Sequence, residues 1–96
     1  MLNQIVLVGK IAEMSKNNNK HSILLEVERP YKEDGIKEVD QFVCHAWEGI
    51  FKQILNLCDL GDLLAIKGRA VNQDGEFIVM AEHIGILNKS KNSILK

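Results

Sequence analysis

The chain has 96 residues, enough for one small hydrophobic core and too few for two folded domains. It is 46% hydrophobic and 26% charged, a balance that is typical of a globular domain and excludes disorder as the main state. Its 12 Lys and Arg against 13 Asp and Glu give a net charge of −1, so the overall basic excess of many nucleic-acid binders is missing. Any affinity for a polyanion must come from local groups of basic residues.

The opening residues and the cysteines indicate the compartment. No stretch approaches the roughly 20 apolar residues of a membrane span, and residues 1–4 lack the basic start of a signal peptide. Cys44 and Cys58 form no Cys-x-x-Cys pair, and we expect both to be buried thiols outside any disulfide. The sequence therefore predicts a cytoplasmic protein with no membrane partner.

The first half of the chain predicts three strands, each rich in β-branched or aliphatic residues. Gly9 lies where a strongly bent first strand needs a glycine. A polar, turn-favouring run at 17–19 separates the first strand from the second, Pro30 ends the second, and an acidic turn at Gly35 precedes the third. The predicted strands are residues 2–12, 22–29 and 37–47.

Both faces of the first strand are apolar, because four consecutive aliphatic residues run from Ile5 to Val8. A strand with one solvent-exposed face would alternate apolar and polar residues, so we expect one face of this strand to contact another subunit. The alternative is that the protein's own helix covers it.

The second half predicts one helix and two strands. From Glu48 the apolar period changes from two to about 3.6, and Gly61 is expected to end the helix. Residues 63–71 and 76–87 then form two strands joined by Asp74-Gly75, a pair that suits a tight turn with positive φ. Most apolar helix residues fall on one stripe, namely Ile50, Phe51, Ile54, Leu55, Leu57 and Cys58.

The order β-β-β-α-β-β predicts an all-β fold with one short helix, the five-stranded Greek-key barrel called the OB-fold. We assign residues 1–87 to this domain and residues 88–96, which are polar and rich in lysine, to a flexible tail. The alternative architecture is a small α+β sandwich with the helix on one face of an antiparallel sheet.

Four segments, in order, resemble the bacterial single-stranded DNA-binding protein family. Asn3 to Lys10 resembles the family's first strand, and Arg29-Pro30-Tyr31 the end of its second. Cys44 to Trp47 resembles the third strand, and Leu60 to Arg69 the fourth with its glycines and basic residue. The resemblance implies an OB-fold without catalysis or cofactor, single-stranded DNA as ligand, and association into dimers or tetramers.

The family's base-stacking aromatics are matched in part. Tyr31 matches the position at the end of strand two, and Trp47 the later position on strand three. The other strand-three position falls on Gln41, while alternation turns Phe42 toward the core unless a bulge resets the phase. Asn72 to Gly75 is a short turn in place of the long loop that carries the fourth aromatic, so we expect weaker binding than is usual in the family.

Basic residues recur near strand ends and loops. Lys67 and Arg69 share a face of the fourth strand, and we place Lys10 and Arg29 at the ends of the first two strands. Lys32 lies in a loop that borders the expected groove, as do Lys16, Lys20 and Lys37. The predicted nucleic-acid site comprises Trp47, Tyr31, Lys10, Arg29, Lys32, Lys67 and Arg69.

The histidines give no sign of a metal site or of an enzyme. Alternation puts His83 on the face of Val79 and Ala81, which predicts a packed histidine. His45 shares the face of Trp47, and the sequence does not decide between contact with a phosphate and contact with a subunit.

The resemblance has one clear departure. The family's tail ends in an acidic tip that recruits replication proteins, whereas this sequence has no acid after Glu82. An OB-fold interaction or accessory module with weak DNA affinity, similar to the primosomal replication protein N, is therefore the alternative function. RNA is a third possible ligand, since stacking and phosphate contacts do not distinguish the sugars.

Overall fold

The computed structural model describes residues 3–17, 20–30, 35–36 and 38–88. Five strands and one helix follow in the predicted order. Their bounds are β1 Ile5–Asn17, β2 Lys20–Glu28, β3 Val39–Ala46, α1 Glu48–Leu57, β4 Leu63–Gln73 and β5 Glu76–Asn88. The expected tail lies, from residue 89 onward, outside the described residues.

The strands form one closed barrel in the order β1-β2-β3-β5-β4, with β4 pairing back onto β1. Neighbouring strands are antiparallel except β3 and β5, which run parallel from Cys44 to Ala46. This order, with a helix between β3 and β4, is that of the OB-fold. The fold prediction is confirmed, and the α+β sandwich is wrong.

β1 pairs with two neighbours because it bends. Its first half pairs with β4 and its second with β2, and the register shifts between Ile11 and Glu13. At Gly9 a Cβ would lie 2.2 Å from the backbone oxygen of Glu26, so only glycine allows this close approach. Lys10 is therefore in the middle of β1 and not at its end, which corrects our expectation.

Alternate residues of every strand face the barrel interior. Phe42 packs against this core, as predicted, and its ring meets that of Phe77 edge-on with the centroids 6.3 Å apart. Cys44 and Cys58 are buried, and burial raises the pKa of the Cys44 thiol to about 12. The buried apolar residues are Ile11, Ile23, Leu25, Cys44, Ala46, Phe51, Ile54, Cys58, Leu64, Ile66, Ile78, Val79 and Ala81.

The helix α1 closes one end of the barrel. Phe51 and Ile54 are buried, whereas Leu55 and Leu57 of the expected apolar stripe are exposed. The helix ends at Leu57, because Cys58 has extended backbone. No helix in the described ranges is long and apolar enough to cross a membrane.

Gly61 does not end the helix, contrary to our expectation. It has a φ of 92° and lies in the turn from Asp59 to Asp62, which the buried Asp62 carboxylate holds by accepting the Asp59 N–H at 2.8 Å. The N–H of Gly61 donates to the carbonyl of Ile11 at 2.8 Å. The glycine thus fastens the turn to β1. The other predicted glycine turn is confirmed, with φ of 54° at Asp74 and 84° at Gly75.

A second bulge lies in β5. Lys67 is in register with His83 and Gly68 with Ala81, which leaves Glu82 as the extra residue. The alternation that predicted a packed His83 assumed an unbroken strand, and the bulge turns this side chain to solvent. The prediction for His83 was therefore wrong.

Candidate nucleic-acid interface

Trp47 lies directly after β3 and caps the start of α1, where its carbonyl accepts the N–H of Phe51 at 2.9 Å. Because the neighbouring Ala46 is buried, alternation turns the indole outward. The side chain is 67% exposed. Trp47 is therefore a surface aromatic and not a core residue, so it can present a ring face to a ligand.

Two further strands continue the surface beside Trp47. His45 is in register with Met80 on β5, and Met80 with Arg69 on β4. The residues on either side of Met80 are fully buried, so this row faces outward. Since neighbouring strands lie about 4.8 Å apart, the Cα atoms of His45 and Arg69 are about 10 Å apart.

Lys67 and Arg69 are exposed, and they lie two residues apart on β4. Their common outward face confirms the alternation predicted for this strand. Arg69 forms an ion pair with Glu82, with 3.5 Å between Nε and Oε2. We call this surface the Trp47 face; it consists of His45, Trp47, Lys67, Arg69 and Met80.

The surface becomes acidic toward the β4–β5 hairpin. A shallow pocket of about 180 Å³ lies between β3 and this hairpin. Both carboxylates in its lining, Asp74 and Glu76, are exposed. Its lining residues are Val43, His45, Gln73, Asp74, Glu76 and Ile78. On this side of the barrel, Asp74 and Glu76 thus lie toward the hairpin, whereas Lys67 and Arg69 lie nearer the start of β4.

Arg29 lies just after β2 and is held by two carboxylates. Its Nη2 is 2.8 Å from Oδ1 of Asp40, and its Nη1 contacts Glu38. The hydrogen bond from Arg29 holds the pKa of Asp40 below its ordinary value. The charge of Arg29 is therefore already balanced, a feature that the sequence did not reveal.

Lys10 borders a groove of about 280 Å³. It is in register with Glu26, and Glu28 also lines the groove. Among the described residues at this end of the barrel, the acids Glu26, Glu28, Glu38 and Asp40 outnumber the cations Lys10 and Arg29.

The predicted site residues fall into two separate groups. Trp47, Lys67 and Arg69 lie together, whereas Lys10 lies four residues along β1 from Val6, the partner of Lys67, and in the register row of Gln41 and Glu26. Trp47 follows Gln41 by six positions, which corresponds to about 20 Å along the direction of β3. Arg29 lies at the same end as Lys10. The remaining two predictions, Tyr31 and Lys32, lie outside the described residues.

An apolar strip borders the Trp47 face. Val6 is in register with Lys67, and Val8 with Ala65. Val6 and Val8 are exposed, while Leu63 and Ala65 beside them are half-buried. These four residues thus form an apolar patch on the outward side of β1 and β4, without a cover from the described part of the chain.

Two residues of this surface, Met80 and Glu82, were not predicted from the sequence. Alternation from the apolar Val79 could have placed Met80 on the outer face. No sequence pattern indicated that Glu82 belongs to this surface, because the bulge that positions it depends on pairing with β4. Within the described residues, no group of three or more His, Cys, Asp or Glu is arranged to hold a metal ion.

Comparison with known proteins identifies the family. No protein-family model matches the chain. The chain is 31% identical to single-stranded DNA-binding protein 1 of Streptococcus pyogenes serotype M18, over 97% of this chain and 84% of that protein. Among solved structures, it is similar to the mitochondrial single-stranded DNA binding protein Rim1 of S. cerevisiae, with a TM-score of 0.75 and 14% identity over 92% of this chain and 96% of that one.

The small single-stranded DNA-binding protein of Streptomyces coelicolor is also similar, with a TM-score of 0.69 and 19% identity over 90% of this chain and 93% of that one. The two solved structures support the barrel fold. The sequence identity over almost the whole length supports the closer relation, and the chain belongs to the single-stranded DNA-binding protein family.

Proposed function

We propose that this protein binds single-stranded DNA without sequence preference, stacking bases on Trp47 and holding phosphates with Lys67 and Arg69. The observation that carries the proposal is the exposed indole of Trp47 on the same barrel side as two exposed cations. Every base has a π-face, so stacking tolerates any sequence. Lysine and arginine beside the ring add phosphate contacts, which weaken as salt rises.

The proposal includes a second contact region at Lys10 and Arg29. Tyr31 and Lys32, which follow Arg29 in the sequence, are further proposed contacts. Because Lys10 and Arg29 lie beside carboxylates, we expect each of these cations to add less affinity than Lys67 or Arg69. A single strand long enough to contact both groups would run along the barrel wall for about 20 Å.

We also propose that the protein is a homodimer or homotetramer. The support is the exposed apolar side of β1, where Val6 and Val8 lie next to Ala65 and Leu63 of β4. A second copy of the chain would remove this apolar surface from water. The same strip borders Lys67, so association would bring the cations of two subunits close together.

The proposed biological role is non-catalytic. Stacking and ion pairing bind a strand without changing its covalent structure, and family membership supports a role in DNA replication, recombination or repair. We place this activity in the cytoplasm, with replication proteins as further partners.

The test is a titration with oligo-dT of several lengths, followed through the fluorescence of Trp47, the single tryptophan of the chain. We expect saturable quenching, and log affinity should fall against log salt with a slope of about −0.7 per phosphate contact. Absence of binding in this assay and in fluorescence anisotropy of a labelled oligonucleotide would overturn the proposal in favour of an interaction module. Oligo-rU of equal length tests the RNA alternative.

A further inference from the structure

Glu82 is an acid within a surface that otherwise offers an aromatic ring and cations. It is the extra residue of the β5 bulge, between Ala81, which is buried, and His83, which is exposed. Its side chain is 47% exposed. It lies two residues past Met80, just as Trp47 lies two residues past His45, the partner of Met80. A negative charge therefore lies where we propose that phosphates bind.

The carboxylate of Glu82 meets the guanidinium of Arg69, with 3.5 Å between Oε2 and Nε. This distance is longer than the 2.7–3.2 Å of a well-formed hydrogen bond. Both side chains are about half exposed, so solvent screens the attraction and the pair is weak. A phosphate, which accepts from a guanidinium through two oxygens, is a stronger partner for Arg69 than this carboxylate.

We infer that Glu82 holds Arg69 in the DNA-free protein and competes with DNA phosphates for it, so that it limits the affinity of the Trp47 face. This inference rests on the proposed function and identifies a residue that regulates the same site. Binding must exchange the Arg69–Glu82 ion pair for an Arg69–phosphate pair, and the carboxylate then lies close to the bound strand. Both effects oppose binding.

The geometry distinguishes Arg69 from Lys67 in this respect. Lys67 is in register with His83, beyond the bulge, whereas Arg69 is in register with Met80 and reaches Glu82 diagonally. Removal of the Glu82 charge should therefore act mainly through Arg69. Arg69→Ala is therefore the test background for Glu82→Gln, and Lys67→Ala is its control.

The experiment measures the affinity of labelled oligo-dT by fluorescence anisotropy for Glu82→Gln in three backgrounds: the parent protein, Arg69→Ala and Lys67→Ala. In the parent protein we expect Glu82→Gln to tighten binding about threefold to fivefold at low salt. The salt slope should become more negative by up to about 0.7. The gain should persist with Lys67→Ala and largely disappear with Arg69→Ala.

Glu13→Gln is the matched control, because it removes the same charge from an exposed residue on the part of β1 that pairs with β2. We expect Glu13→Gln to raise the affinity for oligo-dT by less than half as much as Glu82→Gln does. The inference is overturned if Glu82→Gln leaves binding unchanged or weakens it, if its gain survives Arg69→Ala in full, or if Glu13→Gln matches it. If the parent protein itself does not bind oligo-dT, the proposed function fails, which is a distinct result.

Discussion

Arg29 and Asp40 form a two-point contact at the end of β2 and the start of β3. Nη2 of Arg29 is 2.8 Å from Oδ1 of Asp40, and Nε contacts both carboxylate oxygens at 3.1–3.2 Å. These bonds stabilise the charged carboxylate, so the pKa of Asp40 is lowered. The stabilisation is complete above the unfolded pKa of about 3.9, and it is lost as the pH falls through the lower pKa of the folded state.

We expect Arg29→Gln to return the pKa of Asp40 to its ordinary range, because the hydrogen bond from Arg29 is the main cause of the shift. An NMR titration of the side-chain carboxyl below pH 5 measures this change. The same variant should weaken oligo-dT binding less than Arg69→Ala does, since two carboxylates already balance Arg29. A larger loss would show that Arg29 exchanges these partners for a phosphate.

Trp47→Ala should weaken oligo-dT binding by about 1–3 kcal/mol, the usual contribution of one stacked base. Trp47→Phe should retain most of the affinity, because it keeps a π-face. Since the indole is 67% exposed, neither substitution should change the free energy of unfolding by more than about 0.5 kcal/mol. Anisotropy and thermal unfolding measure the two quantities, and full affinity of a folded Trp47→Ala protein would contradict the site assignment.

Gly68→Ala should destabilise the barrel by about 2–3 kcal/mol. A Cβ at this position would lie 1.9 Å from the backbone oxygen of Met80, which cannot rotate away as a side chain does. The matched control is Gly49→Ala in α1, where a Cβ has no neighbour within 4 Å. This control should stabilise the protein by roughly 0.5–1 kcal/mol, because alanine is the better helix former. Urea unfolding of both variants measures whether their free energies of unfolding change in opposite directions.

Val6→Glu should convert the proposed oligomer to monomers, because it places a charge in the apolar strip on β1. Light scattering coupled to size exclusion gives the mass directly. Leu57→Glu is the control, since Leu57 is also an exposed aliphatic residue but lies on α1. An unchanged mass for Val6→Glu, or an equal effect of both substitutions, would remove β1 from the interface.

The sequence by itself determined the number, type and order of the elements. Strand and helix periodicity depend on near neighbours in the chain, and Phe42 was correctly placed in the core by alternation from Cys44 alone. The exposed pair Lys67 and Arg69 was found in the same way. The positive φ at Asp74 and Gly75 likewise follows from a local preference.

The tertiary structure alone decided which residues meet across strands. The bulge at Glu82, the outward turn of His83 and the ion pairs of Arg29 all depend on the register between segments that are distant in the chain. A one-residue shift in register moves every side chain beyond it to the other face of the sheet, and no local sequence pattern indicates such a shift. For the same physical reason, the sequence could name the basic residues of the site but could not show which of them lie beside the exposed Trp47 and which lie beside carboxylates.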